Sequence, residues 1–522
     1  MHPRYLPFLV AATLAGTATL PAAGEPAGRL TYEQHCAACH GALGDGNGPA
    51  SVWLFPKPRN FSAGLFKIQS TPAGSLPTDE DLFQTVTRGM PGSSMPSFTY
   101  LTEQERRDAV QFVKYLTATT DAQGRRVNKF EEAAKGGAVP KPVAVPAEPT
   151  DLVASITAGK QLFMKNGCFA CHGEAGAGNG PAATALRDAQ GVPVYPRDFN
   201  TGAFRGGSTG RDLYLRIHNG LAGTPMPAYG EAAMKPEERW ALVHYIQSLR
   251  RKDIEVNDLL ASVDGVIHMH PVAAIPENPA DPAWEAFDPV RVPLNPLWPE
   301  PQPIPAVSVI AVQDGRTAAF HLSWRDPSVN GESVRVQEFQ DEVALQFSLD
   351  GTTPFLGMGD KDHPVNLWLW RAGWQQEVEG KRPDMKDEYP AMHVDTYLEN
   401  LGSNDLYLTA VKAGNPIARQ HASAVEDANA RGFGTLTSQP LAQQNVKGRG
   451  IWVDGSWSVV VTRDLDSREA GDVKFAPGAA VPVAFAVWNG EQRDRNGRKV
   501  VSNWLKVTVE KPAQTASTGG LR

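Results

Sequence analysis

The cysteines of this 522-residue chain form two short, identical patterns that constrain the protein more than any other feature. Residues 36–40 read C-A-A-C-H and residues 168–172 read C-F-A-C-H, so all four cysteines lie in C-x-x-C-H motifs. Redox disulfides or a four-cysteine zinc site would also use paired cysteines. Neither explains a histidine directly after each pair. Two thiols one helical turn apart can each bond a haem vinyl group, with the adjacent histidine under the iron. The motifs therefore predict two covalently attached c-type haems.

A longer repeat surrounds the two motifs. The block G-N-G-P at 46–49 recurs at 178–181, and P-R-N-F at 58–61 recurs as P-R-D-F at 196–199. The order of these blocks indicates two copies of one structural unit. The second block carries an arginine in both copies, which either neutralises a haem propionate or lies in solvent. These arginines are Arg59 and Arg197.

Each copy continues to a glycine and a Met-Pro pair. Met90 begins a competing Met-Pro pair in the first copy, but aligning Gly89 with Gly220 places Met95 opposite Met226. Buried methionines usually fill cores, whereas repetition in register favours a role as the distal iron ligand. A Met/His pair raises the reduction potential relative to two histidines. The predicted haem residues are Cys36, Cys39, His40 and Met95 in the first copy, and Cys168, Cys171, His172 and Met226 in the second.

Each copy also ends in an amphipathic helix. Apolar residues recur at i, i+3, i+4 and i+7 over 109–116 and again over 242–249. With the haem motif, these helices make residues 28–120 and 153–252 resemble the class I cytochrome c family. The resemblance implies two small all-helical domains that carry electrons.

The chain changes character from about residue 279. Turn residues and short alternating segments replace the helical patterns, which favours an antiparallel β-sandwich of over two hundred residues. No cysteine occurs in this region, so no haem is covalently bound there. The predicted strands lie within 318–324, 342–347, 366–370, 452–461 and 481–488.

Short blocks in this C-terminal region resemble the haem-binding domain of the ethylbenzene dehydrogenase γ-subunit family. The blocks are D-P-A-W at 281–284, S-W-R-D-P at 323–327, F-Q-D at 339–341, G-M-G-D at 357–360, and Lys499 with S-N-W at 502–504. The family includes γ-subunits of periplasmic selenate, chlorate and dimethylsulfide molybdoenzymes. The resemblance implies one non-covalent b-type haem held between a methionine and a lysine, here Met358 and Lys499.

This ligand assignment leaves alternatives open. A lysine ligates iron only when it is neutral and desolvated, and His268, His270, His363 and His393 are rival ligands. Moreover, γ-subunits of that family normally stand alone, whereas two c-type domains precede the sandwich here. The chain is therefore expected to be either a molybdoenzyme subunit or a self-standing carrier.

The N-terminus resembles a secretory signal peptide, with Arg4 ahead of an apolar run over 5–20. The predicted chain is a multidomain α + β protein with these segments: signal peptide 1–24, first cytochrome c domain 25–120, linker 121–152, second cytochrome c domain 153–252, connector 253–279, β-sandwich 280–511 and disordered tail 512–522.

The formal net charge of −7, without a long basic run, argues against nucleic acid as a partner. The expected partners are redox proteins: iron–sulfur and molybdenum subunits on one side, and a soluble or membrane-bound electron carrier on the other. The predicted function is periplasmic electron transfer through two haem c and one haem b. Two alternatives remain, a dihaem peroxidase with an open iron site and a cytochrome whose sandwich is a haem-free binding module.

Overall fold

The computed structural model describes most of the chain. The described residues are 26–137, 141–251, 265–298, 300, 303–332, 334–381, 385–392 and 420–511. The predicted signal peptide and C-terminal tail lie outside these ranges. Across the described ranges, every helix is too short or too polar to cross a bilayer.

The first cytochrome domain is built from four helices. Helix α1 (Arg29–His35) leads into α2 (Ala37–His40), followed by α3 (Asp79–Arg88) and α4 (Glu103–Leu116). Thr102 caps α4, because its hydroxyl accepts from the Glu105 backbone N–H while the Glu105 carboxylate accepts from Thr102. Helix α1 crosses α4 so closely that a Cβ on Gly28 would lie 2.0 Å from the Asp108 carbonyl oxygen. Glycine therefore permits the helix contact that positions the haem motif.

The segment after α4 contains more structure than the predicted linker implies. A two-stranded hairpin, β1 (Ala118–Thr120) and β2 (Arg126–Asn128), is followed by helix α5 (Lys129–Lys135). Asn128 caps α5, and Lys129 Nζ donates to the Ala63 carbonyl oxygen at 2.6 Å. This part of the segment packs onto the first domain, and residues 141–149 contain neither helix nor strand.

The second domain repeats the arrangement with α6 (Leu152–Lys165), α7 (Phe169–His172), α8 (Gly210–Asn219) and α9 (Pro236–Ser248). Pro236 occupies the first turn of α9, where a missing N–H costs nothing. A Cβ on Gly159 would lie 2.0 Å from the Ala241 carbonyl oxygen, so a glycine again permits the crossing of the first and last helices. Short 3-10 turns follow each haem motif at Ser51–Trp53 and Ala183–Ala185.

The C-terminal domain is one curled sheet of fourteen described strands. In chain order they are β3 (Val266–Pro271), β4 (Val290–Pro293), β5 (Asn295–Pro296), β6 (Ala306–Gln313), β7 (Thr317–Arg325), β8 (Glu342–Ser348), β9 (Val365–Arg371), β10 (Val425–Ala430), β11 (Thr437–Ser438), β12 (Lys447–Val453), β13 (Ser456–Asp464), β14 (Ala480–Trp488), β15 (Val500–Val501) and β16 (Leu505–Val509). Helices α10 (Ala372–Val378) and α11 (Met385–Glu388) and 3-10 turns at Pro282–Ala286 and Leu441–Gln443 complete it.

The main path of the sheet runs β11-β10-β9-β8-β14-β16-β3-β6-β7-β13-β12. All pairings are antiparallel except those of β3, which is parallel to both neighbours. The two halves of the path pack face to face: the Trp370 ring of β9 lies 4.9 Å from the Trp457 ring of β13. The predicted α + β fold class, with helical cytochrome domains followed by a largely antiparallel sandwich, is confirmed.

One predicted strand is wrong. The segment 452–461 is the end of β12, a tight turn and the start of β13, rather than a single strand. Asp454 and Gly455 both have positive φ, 49° and 80°, as a two-residue hairpin turn requires. The Asp-Gly pair in the sequence is itself a typical hairpin signal.

Candidate haem sites

The proximal histidine of the first domain is oriented by the repeated P-R-N-F block. His40 Nδ1 lies 2.9 Å from the Arg59 carbonyl oxygen, and the Phe61 ring stacks on the imidazole at 4.5 Å. If Nδ1 carries the proton, it donates a hydrogen bond to the carbonyl oxygen, and Nε2 is left free for iron. Burial lowers the pKa of His40, which favours the neutral imidazole that a metal requires.

The second domain reproduces this geometry. His172 Nδ1 lies 3.3 Å from the Arg197 carbonyl oxygen, and the Phe199 ring stacks on the imidazole at 4.4 Å. Burial also lowers the pKa of His172. The repeated block therefore positions the histidine through a backbone carbonyl and an aromatic ring. The sequence alone pointed to the arginine side chain of this block rather than to its backbone.

The methionine loops of the two domains are also equivalent. The Met90 N–H donates to the Met95 carbonyl oxygen, and the Leu221 N–H donates to that of Met226. Within each loop a hydroxyl, from Ser93 or Thr224, donates back to the carbonyl at the start of the loop. The structure therefore pairs Met95 with Met226 and Met90 with a leucine, in agreement with the alignment from the sequence.

The cavity of the first domain fits a haem. Cys36, Cys39, His40 and Met95 line one largely apolar cavity of about 200 Å³. Its basic lining residues are Lys57, Arg59, Lys67 and Arg205, and the described lining contains no Asp or Glu. An apolar interior with a cationic rim matches a flat macrocycle that bears two carboxylates.

The cysteines do not form the alternative sites that paired thiols allow. None of the four is disulfide-bonded, and the two pairs lie in the cores of different domains, so a joint zinc site is excluded. Burial raises the pKa of Cys36 and of Cys39 to about 12. A reactive redox thiol requires the opposite shift.

The sandwich has a second apolar face, which we call the outer platform. It lies on β14, β8 and β9, on the side opposite the core between the two layers. Two adjacent cross-strand rows form it: Ala486, Ala344 and Leu369, then Ala484, Gln346 and Leu367. All six side chains are at most 9% exposed, and the alanines leave a flat surface. Five of the six side chains are apolar and Gln346 is polar, and their low exposure shows that this face is already screened from solvent.

Met358 lies at one end of the outer platform, packed into a cluster with Leu367, Ala484 and Trp504. Its φ of 72° places it in the left-handed region, which is uncommon for a residue other than glycine. The Gly432 N–H holds this conformation by donating to the Met358 carbonyl oxygen at 2.8 Å. A strained backbone held in place by its surroundings is typical of a functional position.

Lys499 lies at the other end of the outer platform. Its Nζ is 4.5 Å from the ring centroid of Trp488, which follows Ala486 by two residues on the same face of β14. Burial lowers the pKa of Lys499 to about 8, although Glu342 acts in the opposite direction. The neutral amine that iron ligation needs is therefore accessible. Met358 and Lys499 bracket the outer platform, and this donor set fits a non-covalent haem.

The rival histidines have other partners. His268 and His270 place Nδ1 at 3.1 Å and 3.0 Å from the Glu510 carboxylate. His363 Nδ1 lies 2.6 Å from the Asp350 carboxylate, which raises the pKa of His363. His393 lies outside the described residues.

Tyr100 is a site residue that sequence reasoning missed. It packs in the Met358 cluster and also lines the haem cavity of the first domain, where its hydroxyl lies 3.4 Å from His35 Nδ1. From the sandwich, Phe355 and Leu356 line the same cavity. No sequence signal marked these contacts, because they join segments more than 250 residues apart.

Comparison with known proteins agrees with this division. A family model described as cytochrome c matches residues 26–117 and 156–250, and one described as ethylbenzene dehydrogenase matches residues 281–500. A Haloferax mediterranei chain described as a candidate respiratory nitrate reductase haem subunit is 29% identical over 238 residues, covering 44% of this chain and 67% of its own length.

Two further similarities were found. The chlorate reductase γ subunit of Ideonella dechloratans is 24% identical over 195 residues, which cover 37% of this chain and 59% of that subunit. Among solved structures, a chain of a reducing HAO-like protein complex from Kuenenia stuttgartiensis is 40% identical and covers 43% of this chain and 96% of its own, with a TM-score of 0.38. The chain thus spans about three fifths of the chlorate reductase subunit. Its two N-terminal domains match the cytochrome c family model, and its C-terminal domain matches the ethylbenzene dehydrogenase family model.

Proposed function

We propose that this protein is a periplasmic three-haem electron-transfer subunit that connects a redox enzyme, a molybdoenzyme with an iron–sulfur subunit, to a soluble or membrane-bound carrier. The observation that carries the proposal is the twofold occurrence of one haem geometry: a C-x-x-C-H histidine, a carbonyl on Nδ1, a stacked Phe and an opposing methionine loop. When bound, haem iron supplies reversible one-electron oxidation and reduction.

The residues of the chain hold and tune the cofactors. Cys36, Cys39, Cys168 and Cys171 would attach two haem c, and His40, Met95, His172 and Met226 would ligate the irons. Two ligands per iron leave no position for a substrate, which favours electron transfer over peroxidase chemistry. Met358 and Lys499 would hold one haem b on the outer platform. Export is supported by the signal-like sequence over 1–24 and by the use of every cysteine in a haem motif.

The contacts between domains suggest an order for the conduit. The first cytochrome domain meets the sandwich through Tyr100 and Phe355, and it meets the second domain through Arg205. A second bridge runs from the Phe55 N–H to the Leu297 carbonyl oxygen, while the Leu297 N–H donates to the carbonyl of Lys499. We therefore place the first domain in the middle, with the enzyme at the sandwich and the carrier at the second domain.

A haem inventory tests the proposal. The protein is expressed in a host with periplasmic haem-attachment machinery and extracted with acidified acetone, and pyridine haemochrome spectra of pellet and supernatant are compared. Two covalent haems and one extractable haem per chain are expected. Two covalent haems with none extractable would refute the haem b site and favour a sandwich that only binds a partner. Rapid carbon monoxide binding by the reduced wild-type protein would favour the peroxidase alternative.

A further inference from the structure

A second basic position repeats between the two cytochrome domains. Lys67 follows Arg59 by eight residues, and Arg205 follows Arg197 by the same eight residues. Phe66 and Phe204 precede these second cations, so the whole stretch from the proline of the repeated block is in register. Each domain therefore presents a matched pair of cations near its haem motif.

These cations reach across the boundary between the domains in both directions. Gly92 and Gly223 occupy equivalent places in the two methionine loops. A Cβ on Gly92 would lie 2.7 Å from Nη1 of Arg197, and one on Gly223 would lie 3.6 Å from Nη1 of Arg59. Arg205 of the second domain lines the cavity of the first. Each arginine thus lies against the loop that carries the distal methionine of the other domain.

These four basic side chains outnumber the carboxylates that attract them. Arg59 and Lys67 have Asp188 as their attracting carboxylate, and Arg197 has Asp198. Burial lowers the pKa of Arg205, and the neighbouring Arg197 lowers it further, to about 10. Among the described atoms, the buried Nε of Arg205 has no hydrogen-bond partner. Among the described residues, these four cations face two attracting carboxylates, Asp188 and Asp198, and the surplus positive charge is costly in a partly buried site.

We propose that Arg59, Lys67, Arg197 and Arg205 form one anion site at the boundary of the two cytochrome domains, which binds the propionate carboxylates of both haems together. The inference rests on the proposed function, because it requires both haems to be attached. The ligand is chemically a cluster of carboxylates, for which planar guanidinium groups are suited. The haems then act as shared ligands that hold the two domains in one orientation.

A propionate site shared by the two domains couples the reduction potentials of both c-type haems, whereas two separate sites do not. Each cation stabilises the ferrous state of both haems, since removing a positive charge favours the ferric iron that carries one more charge. Substitution of a cation in either domain should therefore lower the reduction potentials of both c-type haems. With separate sites, each substitution would move the haem of one domain.

Potentiometric titration of the purified holoprotein tests this inference. The variants are Arg205→Gln from the second domain and Lys67→Gln from the first. The control is Arg211→Gln, which removes the same charge from an exposed position on α8. In both cluster variants we expect both c-type steps to shift, by about tenfold in the ferric to ferrous ratio at fixed ambient potential, or about 59 mV. Arg205→Lys keeps the charge and should titrate close to wild type.

A shift of one c-type step, or of neither, in Arg205→Gln would overturn the shared site. An equal shift in Arg211→Gln would reduce the effect to net charge and would also overturn it. Should Arg205→Gln fail to fold, Lys67→Gln in the first domain provides the same test of the shared site. A wild-type protein with fewer than two covalent haems would instead refute the proposed function, and this is established by haem content before any titration.

Discussion

The cytochrome sites and the sandwich site differ in how the chain builds them. In each cytochrome domain the thiols, the histidine, the carbonyl that orients it and the methionine all lie within about sixty residues of sequence. In the sandwich, Met358 and Lys499 lie on loops 141 residues apart, and the surface between them belongs to three strands. Each cytochrome site is built from residues that are close in sequence, whereas the sandwich site requires the sheet to form first.

This difference has an energetic side. Cys36 packs directly against the core of the first domain, with Tyr32 and Phe112 close by, so a haem attached there completes that core. The sandwich core lies between its two layers and contains Trp368 and Trp370, on the opposite face of the sheet from the outer platform. The cytochrome folds should depend on their cofactors, whereas the sandwich should fold without one.

The largest expected effect separates these two cases. The double variant Cys36→Ala/Cys39→Ala should lose one of the two covalent haems and the helical fold of the first domain, because the cavity is left empty. Met358→Ala should lose the extractable haem while the sandwich stays folded. Haem content with far- and near-ultraviolet circular dichroism checks both. Unfolding of the sandwich in Met358→Ala, to the degree seen for the first domain in the cysteine variant, would contradict the expectation that the sandwich folds without its haem.

The next effect concerns the distal ligand of the first domain. Met95→Ala should open a coordination position, so that the reduced protein binds carbon monoxide and the potential of one c-type haem falls by at least about 59 mV. Met90→Ala is the matched control, since Met90 lines the same cavity but aligns with a leucine in the second domain. Carbon monoxide difference spectra of both variants decide the assignment. Binding in Met90→Ala alone would reverse it.

A smaller effect tests whether the two cytochrome domains behave as one unit. Gly92→Ala should lower the free energy of unfolding by about 2–3 kcal/mol, because the new Cβ is strained at φ 69° and must displace the Arg197 guanidinium, which donates from Nε to the Ala203 carbonyl oxygen. Gly74→Ala shares the strain, with φ 83°, but its Cβ would meet open space. The control should therefore cost only about 1–2 kcal/mol. Equal losses in urea denaturation would mean that the boundary contributes no packing.

The same contrast explains what could be predicted from the sequence. The haem motifs, the pairing of Met95 with Met226 and the helical closure of each domain are local patterns, and the structure reproduces their geometry. Four of the five predicted segments lie in single strands, β7, β8, β9 and β14, and Asp454 and Gly455 divide the fifth between β12 and β13. The other described strands of the sandwich, which are β3 to β6, β10, β11, β15 and β16, lie outside the predicted segments.

The features that the sequence did not predict are those that depend on tertiary contacts. The outer platform requires knowing which strands are neighbours, and β14 pairs with β8 from more than 130 residues earlier. Tyr100 packs in a cluster of the sandwich, and its own sequence surroundings carry no signal of that contact. Lys67 and Arg205 differ, because the sequence repeat continues past the Pro-Arg block and includes both.

The last effect lies inside the sandwich and is independent of any haem. Asp427 on β10 is fully buried beside Asp472. Its Oδ2 lies 3.8 Å from Nη1 of Arg463 on β13, and its Oδ1 accepts a hydrogen bond of 2.6 Å from Asn366 Nδ2. Burial, assisted by the charge of Asp472, raises the pKa of Asp427 to about 7. In the unfolded chain the same carboxyl titrates near 3.9.

At Asp427 the folded state therefore holds one proton more than the unfolded state between about pH 4 and 7. This proton makes the free energy of unfolding fall by about 1 kcal/mol per pH unit as pH rises through the window, and its contribution levels off above pH 7. Burial also raises the pKa of Asp341, Asp494 and Glu300, which add to the same trend. Asp427→Asn mimics the protonated carboxyl, since its amide can donate to Asp472 and its oxygen can accept from Asn366, so the slope should become shallower by about 1 kcal/mol per pH unit. Asp464→Asn, at an exposed position on β13, should keep the wild-type slope. Urea denaturation at pH 5, 6, 7 and 8, followed by tryptophan fluorescence, measures the slope. An unchanged slope in Asp427→Asn would assign the proton uptake to other buried carboxyls of the sandwich, such as Asp341 or Asp494.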